Sequence, residues 1–555
     1  MIHLAGCAGQ LPPSGGPEDR IPPKIISTYP APYTTRFTDR RIAIEFDEYV
    51  DKRTVQESVF ISPFVGDLEF DWSGTEVEIT FSEQLRENTT YVVNIGTDVV
   101  DLRGKNRMAQ AFTLAFSTGD QIDRGVIGGR VYPLKEGDKV EGVMIFAYDL
   151  TSVAVDTLDP KATQPDFITQ TGQNGDFMLQ HLRLGKYRLL AVRDEFRNLL
   201  YDPETDEYAV PAFDILLTES DTAHFGVNMR LAKEDTTAPR LIKISVPDRN
   251  HLIAEFSEPI DTSGLHVSQF QIVDTVARTP LAVLLVSSRP TNLAEVFVVT
   301  DGQQPEQPYR LTVSGVKDQG GIIINSLAQS LGFVGSADED TVGPAVSFSW
   351  RDSTQGIQLR PTIFAYFSDA VRLDVPTDFV KLSDSSRQPI AIQWRWVNSI
   401  TLEAKPLRAL SSKMWYTFAV DLSRLTDLGG NNGRDTTQLL RFETLTVEQL
   451  SGIEGIVTDM VKSDTLGGVV IRARNVSTKE PTLYETRIAK PGKFVFDEII
   501  EGRYVLEAYR DRNNDGKFTA GLPIPFQPAE RFTVYRDTLK LRARWPLDGV
   551  KIELK

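Results

Sequence analysis

A chain of 555 residues is too long for one hydrophobic core, and with 41% apolar and 25% charged residues it reads as several ordinary globular domains in series. Against 60 basic residues stand 76 acidic ones, a net charge of −16 spread along the chain, which argues against nucleic-acid binding. One cysteine excludes an intramolecular disulfide framework and multi-thiolate zinc sites, and no apolar run is long enough for a membrane-spanning helix.

The first segment, 1–21, is short, apolar around its only cysteine, and then rich in Pro, Gly and charge. The string Leu4-Ala5-Gly6-Cys7 resembles a bacterial lipobox. That resemblance implies a mature chain beginning at Cys7, with a diacylglyceryl group on its sulfur and an acyl chain on its amine. More than one chain is what makes such anchoring stable. A signal peptide needs a basic start and about 7–15 apolar residues before the cleavage site. The stretch Met1 to Gly6 is too short for that, so Met1 reads as an internal residue of a longer leader.

Beyond it nearly every signal is β: short alternating or apolar runs such as "RIAIEF", "EVEITF" and "TYVVNI", separated by Gly, Pro, Asn and Asp turns. Helical spacing is confined to two short stretches, 51–59 and 325–332. Three segments, 22–119, 235–338 and 339–447, repeat one pattern. Each has a Pro-rich start. A strand then ends in Phe46, Phe256 or Phe367, followed by Asp47-Glu48, Ser257-Glu258 or Ser368-Asp369. A later strand opens on Tyr91, Tyr309 or Tyr416, and an aspartate (Asp101, Asp318 or Asp427) precedes a glycine. The pattern resembles the bacterial Ig-like domain of S-layer proteins, a β-sandwich, and that family supplies no catalytic residue. The acids after each Phe could serve as ligands, but they read first as strand-end or turn residues of the sandwich.

Segments 120–234 and 448–555 share a second pattern: a Gly-rich first strand, a "GV" strand, then glycines at matching spacing, Gly175 and Gly185 in one and Gly492 and Gly502 in the other. They resemble the carboxypeptidase-regulatory, transthyretin-like module, a small β-sandwich. The expected architecture is therefore all-β, a tandem array of three Ig-like and two transthyretin-like sandwiches.

The last module carries the best site signal. In "DRNNDGKFTAG", Asp511, Asn513 and Asp515 fall at positions 1, 3 and 5 of a calcium loop, with Gly516 at the bend and the Lys517 carbonyl as a fourth oxygen. Position 12 is Leu522 rather than Glu and no helices flank the loop, so it is no EF-hand. The same string also makes a polar turn without metal. The matching places of the other module hold Asp194, Phe196 and Asn198, a degraded version.

No catalytic constellation stands out. The histidines (His3, His181, His224, His251 and His266) share no metal-ligand spacing, and HExxH, GxSxG and phosphate-cradling glycine motifs are missing. Trp394 and Trp396 fall on one face of a strand with Ile390 and Ile392, where stacking on sugars competes with a core role; Leu68, Phe70 and Trp72 repeat the arrangement and favour the core. Asp-Thr or Asp-Ser strings at Asp156, Asp221, Asp235, Asp274, Asp340, Asp352, Asp435, Asp464 and Asp537 resemble the O-glycosylation signal of exported Bacteroidota proteins, and equally read as strand-leading turns.

Together these features resemble an envelope lipoprotein of the Bacteroidota. The resemblance implies a non-catalytic scaffold at the outer membrane, held by lipid on Cys7. Its partner would be an envelope protein or a glycan, with Ca2+ as the one candidate cofactor. The alternatives are a glycan-binding or adhesive surface protein and an accessory subunit of an envelope enzyme.

Overall fold

The computed structural model describes residues 19–151, 157–289, 292–325, 329–434, 436–461, 466–477 and 482–555. The one α-helix among them is Lys52–Ser58, which Asp51 caps by accepting the Arg53 N–H at 3.2 Å. The second stretch with helical spacing is strand from Ser330 onwards: Ser330–Val334 pairs with Pro308–Val313. Leu331 and Phe333 reach the core at alternate positions, and tertiary pairing overrides the weak local preference.

In the first module one sheet runs Ile25–Tyr29, Arg41–Phe46, Glu76–Phe81, Leu68–Ser73, and it faces Val59–Ser62, Thr90–Ile95, Phe112–Ser117. The third module places Leu241–Asp248, His251–Phe256, Asn292–Thr300 and Val283–Arg289 in the same order. In the fourth, Val346–Phe348, Ile363–Phe367, Thr401–Pro406 and Ile392–Asn398 repeat it. Alternation drives these strands: Ile42, Ile44 and Phe46 of one strand and Val77, Ile79 and Phe81 of its neighbour all enter the core.

The repeated tyrosines do one job three times. Tyr91, Tyr309 and Tyr416 are buried and stack on Phe116, Phe333 and Phe442. Each hydroxyl accepts a backbone N–H from five residues upstream: Arg86 at 2.7 Å, Gln304 at 3.0 Å and Ser411 at 2.8 Å. The ring fills the core while the hydroxyl satisfies a loop donor, so a buried polar atom costs nothing.

The second and fifth modules share another topology. Gly125–Tyr132 lies between antiparallel Asp176–Leu182 and parallel Ala223–Arg230. Leu450–Asp459 lies likewise between Lys493–Ile500 and Leu547–Leu554. Tyr187 and Tyr504 are fully buried at matching places, and each donates to a carbonyl four residues upstream, Arg183 at 2.8 Å and Ile500 at 2.6 Å.

Sequence order is not the only adjacency. The second and fifth modules pack on each other, so the array closes on itself. Met144, Phe146, Tyr148 and Tyr201 of the second share a buried cluster with Ala529, flanked by Ile524 and Phe526. The Tyr208 hydroxyl donates to the Gly521 carbonyl at 2.9 Å, and the Asn228 amide to the Phe532 carbonyl at 3.0 Å. Arg230 pairs with Glu507 and lies over Phe518 and Phe532, with centroids 4.9 and 4.4 Å away.

Candidate functional site

The predicted calcium loop follows strand Gly502–Asp511. Asp511 is buried: its Oδ2 accepts the Gly516 N–H at 2.9 Å, and its Oδ1 accepts no hydrogen bond. The Asp515 carboxylate takes the Asn513 amide at 2.8 Å and the Lys517 N–H at 2.6 Å. Asn513 Oδ1 in turn accepts the Asp515 N–H at 3.0 Å. Asn513, Asp515 and Lys517 thus share one turn held by hydrogen bonds among themselves, Asp511 is tied to it through Gly516, and the Arg487 guanidinium lies against Gly516. In the second module Asp194 accepts from the Asn198 and Leu199 backbone, again a turn.

Cys7 lies outside the described residues, as do Asp156, Asp435 and Asp464 of the Asp-Thr/Ser strings. Trp394 and Trp396 are half-buried on the core face of Ile392–Asn398. Trp394 meets Phe379 edge-on at 5.3 Å, and Trp396 packs on Phe367 at 5.3 Å. That face is turned towards the opposite sheet.

Between the first two modules a cleft of about 660 Å³ is lined by Glu57, Phe60, Asp98, Arg107, Met144 and Arg197, among others. Four of its charges pair with each other, Glu57 with Arg197 and Asp98 with Arg107.

Three carboxylate clusters recur in one pattern: Asp19, Glu48 and Asp101; Asp235, Glu258 and Asp318; Asp340, Asp369 and Asp427. In each, the three residues offer oxygens within 4.8 Å of one another. The first member sits on the segment leading into the sandwich and caps the N–H two residues on, at Ile21, Thr237 or Val342. The second lies two residues past the core phenylalanine. The third is fixed by an isolated bridge: Val50 to Asp101, Ile260 to Asp318 and Val371 to Asp427.

Burial and then the neighbouring carboxylates push Glu48 and Glu258 above the usual carboxylate range. Burial likewise raises Asp340 and Asp427. For Asp101 burial is outweighed by donors from Gly104, Lys105 and Asn106, which hold it low. At the third cluster His251 reaches across from the third module, its Nδ1 2.8 Å from Asp248 and its Nε2 3.3 Å from Asp369. The sequence reading singled out the second and third members, named Asp235 and Asp340 only as Asp-Thr strings, and missed Asp19. Its signal is an aspartate three to four residues ahead of Pro22, Pro239 and Pro344.

A family model described as bacterial Ig-like domain matches residues 19–118 and 340–444. No curated protein matches the chain. Among solved structures, the N-terminal part of the bacterial S-layer protein SbsC is similar, with 16% identity over 37% of this chain and 44% of that one, at a TM-score of 0.17. Domains 1–6 of SbsC align at 11% identity over 94% of this chain and 68% of that one, TM-score 0.16. BcpA, the major pilin subunit of Bacillus cereus, aligns at 9% identity over 78% and 99%, TM-score 0.14.

Proposed function

We propose that the chain is a non-catalytic scaffold of the cell envelope, held at the outer membrane by lipid on Cys7 and presenting its sandwiches to an envelope protein or glycan. The observation that carries this reading is the docking of the second module on the fifth. A tandem array closed by a buried contact is a stiff body with fixed surfaces, which suits holding partners. The family-model match at two of the modules and the lipobox-like string at Cys7 support it. Ca2+ held by Asp511, Asn513, Asp515 and the Lys517 carbonyl belongs to the same proposal. It would brace the loop beside Phe518, which packs on Arg230 across the contact.

The test is expression of the precursor with its native leader in a bacterial host, followed by metabolic labelling with palmitate and membrane fractionation. The reading expects label on the wild-type chain, none on Cys7→Ala, and co-isolation of a defined partner after cross-linking of the membranes. An unlabelled, freely soluble wild-type chain would overturn it.

A further inference from the structure

The second and third carboxylate clusters contain something a turn does not need. Asp318 and Asp427 are about 1% and 0% exposed. Oδ1 of each accepts a backbone N–H from the following turn, Ile322 at 2.8 Å and Asn431 at 2.7 Å. Oδ2 of each is buried and accepts no hydrogen bond, which leaves it for the cluster. A buried carboxylate oxygen without a donor is costly, and costlier beside two further carboxylates.

We propose that these two clusters are divalent-cation sites that take Ca2+, one where the chain enters the third module and one where it enters the fourth. The donors are all hard oxygens, the set Ca2+ prefers. Two oxygens on one Ca2+, each about 2.4 Å from it, lie no more than about 4.8 Å apart, and the oxygens of each cluster meet that limit.

The sites differ in surroundings. Asp235 opens the third segment directly after strand Ala232–Lys233 of the second module, so a cation there would tie the third sandwich to the chain leading into it. At the other, His251 and Asp248 of the third module stand beside Asp369 and Asp340. A cation there would lock the third module to the fourth, next to the apolar contact of Phe297 and Val299 with Ala370 and Ile400. The first cluster is left out because Asp101 has donors on both oxygens.

The test is calorimetric titration of the full chain with Ca2+ after chelation, taken about tenfold past the roughly 1 mM at which weak extracellular modules bind. Asp318→Asn and Asp427→Asn should each remove one equivalent from the wild-type count, and Asp515→Ala in the other loop should leave both. Circular dichroism checks that each variant folds. Glu258→Gln and Asp340→Asn, which keep the buried aspartates, form a second set with the same expected losses. The proposal is overturned if the wild type binds no Ca2+, if folded variants at both members of a cluster keep the wild-type count, or if Asp515→Ala alone abolishes binding.

Discussion

Arg230 and Glu507, 277 positions apart, meet in a two-pronged ion pair with N–O distances of 2.9 and 2.7 Å. Both side chains are only about one-fifth exposed, at 19% and 21%. The desolvation of two charges is offset here by fork-to-fork geometry and by the faces of Phe518 and Phe532. Glu507→Ala strands the guanidinium and should cost roughly 2–5 kcal/mol. Arg230→Met combined with Glu507→Leu should recover most of that loss, since an apolar pair needs no partner. Urea unfolding measures the cost, and small-angle scattering reads whether the second and fifth modules separate. A Glu507→Ala chain as stable and as compact as the wild type would show that the docking rests elsewhere.

Asp459 gives a pH prediction. Burial alone would raise its pKa, but Arg531, bonded at 2.6 and 2.7 Å, and Arg510 outweigh it and hold the carboxyl below the usual range. A carboxyl depressed on folding contributes stability that is fully present above its unfolded pKa of about 3.9 and lost as pH falls through the folded value. Asp459→Asn should therefore be less stable than the wild type at pH 7 by about 3–5 kcal/mol. The gap should narrow steadily below about pH 4. Urea midpoints at pH 7 and pH 3 check this; a gap of constant size would remove the charge from the explanation.

What was legible in the sequence follows from how local each cause is. The strands were readable because alternation is written residue by residue, and helix Lys52–Ser58 because Asp51 caps it from the adjacent position. The two topologies followed from repeats whose tyrosines and glycines keep their spacing. Arg230, Glu507 and Phe518 gave no sign of their contact, since each reads as an ordinary strand or loop residue and only the tertiary fold brings the modules together. The carboxylate clusters were half-legible. Glu48, Glu258 and Asp369 stood out beside their phenylalanines, but their convergence with Asp19, Asp235 and Asp340 depends on strand pairing and on how the chain enters each sandwich.

Trp396 separates a core role from a sugar-binding one. It packs on Phe367 of its own sheet and on Phe379, which precedes a strand of the facing sheet. Trp396→Ala opens a cavity under a half-buried side chain and should cost about 2–3 kcal/mol, below the 3–5 typical of a fully buried ring. Trp396→Phe should retain most of that stability. Thermal unfolding of the two variants decides: an alanine variant with wild-type stability would mean the ring is spare to the core.

Gly467 and Gly549 share a backbone conformation, both at φ +73°, in different surroundings. A methyl group added at Gly549 meets nothing within 4 Å. Alanine there should cost only the left-handed strain, about 1–2 kcal/mol. At Gly467 the same methyl would lie 1.8 Å from the Asp511 carbonyl oxygen and 2.7 Å from Arg512 Cα. Those are backbone atoms at the start of the 511–517 loop, so the loop itself must shift. Gly467→Ala should exceed Gly549→Ala by a further 1–3 kcal/mol or so, the usual range for overpacking. It should also perturb the contact between the second and fifth modules, because Phe518 follows that loop. Denaturation curves of the two variants side by side cancel the shared strain; equal losses would show that strand Gly468–Asn475 and the loop can part without penalty.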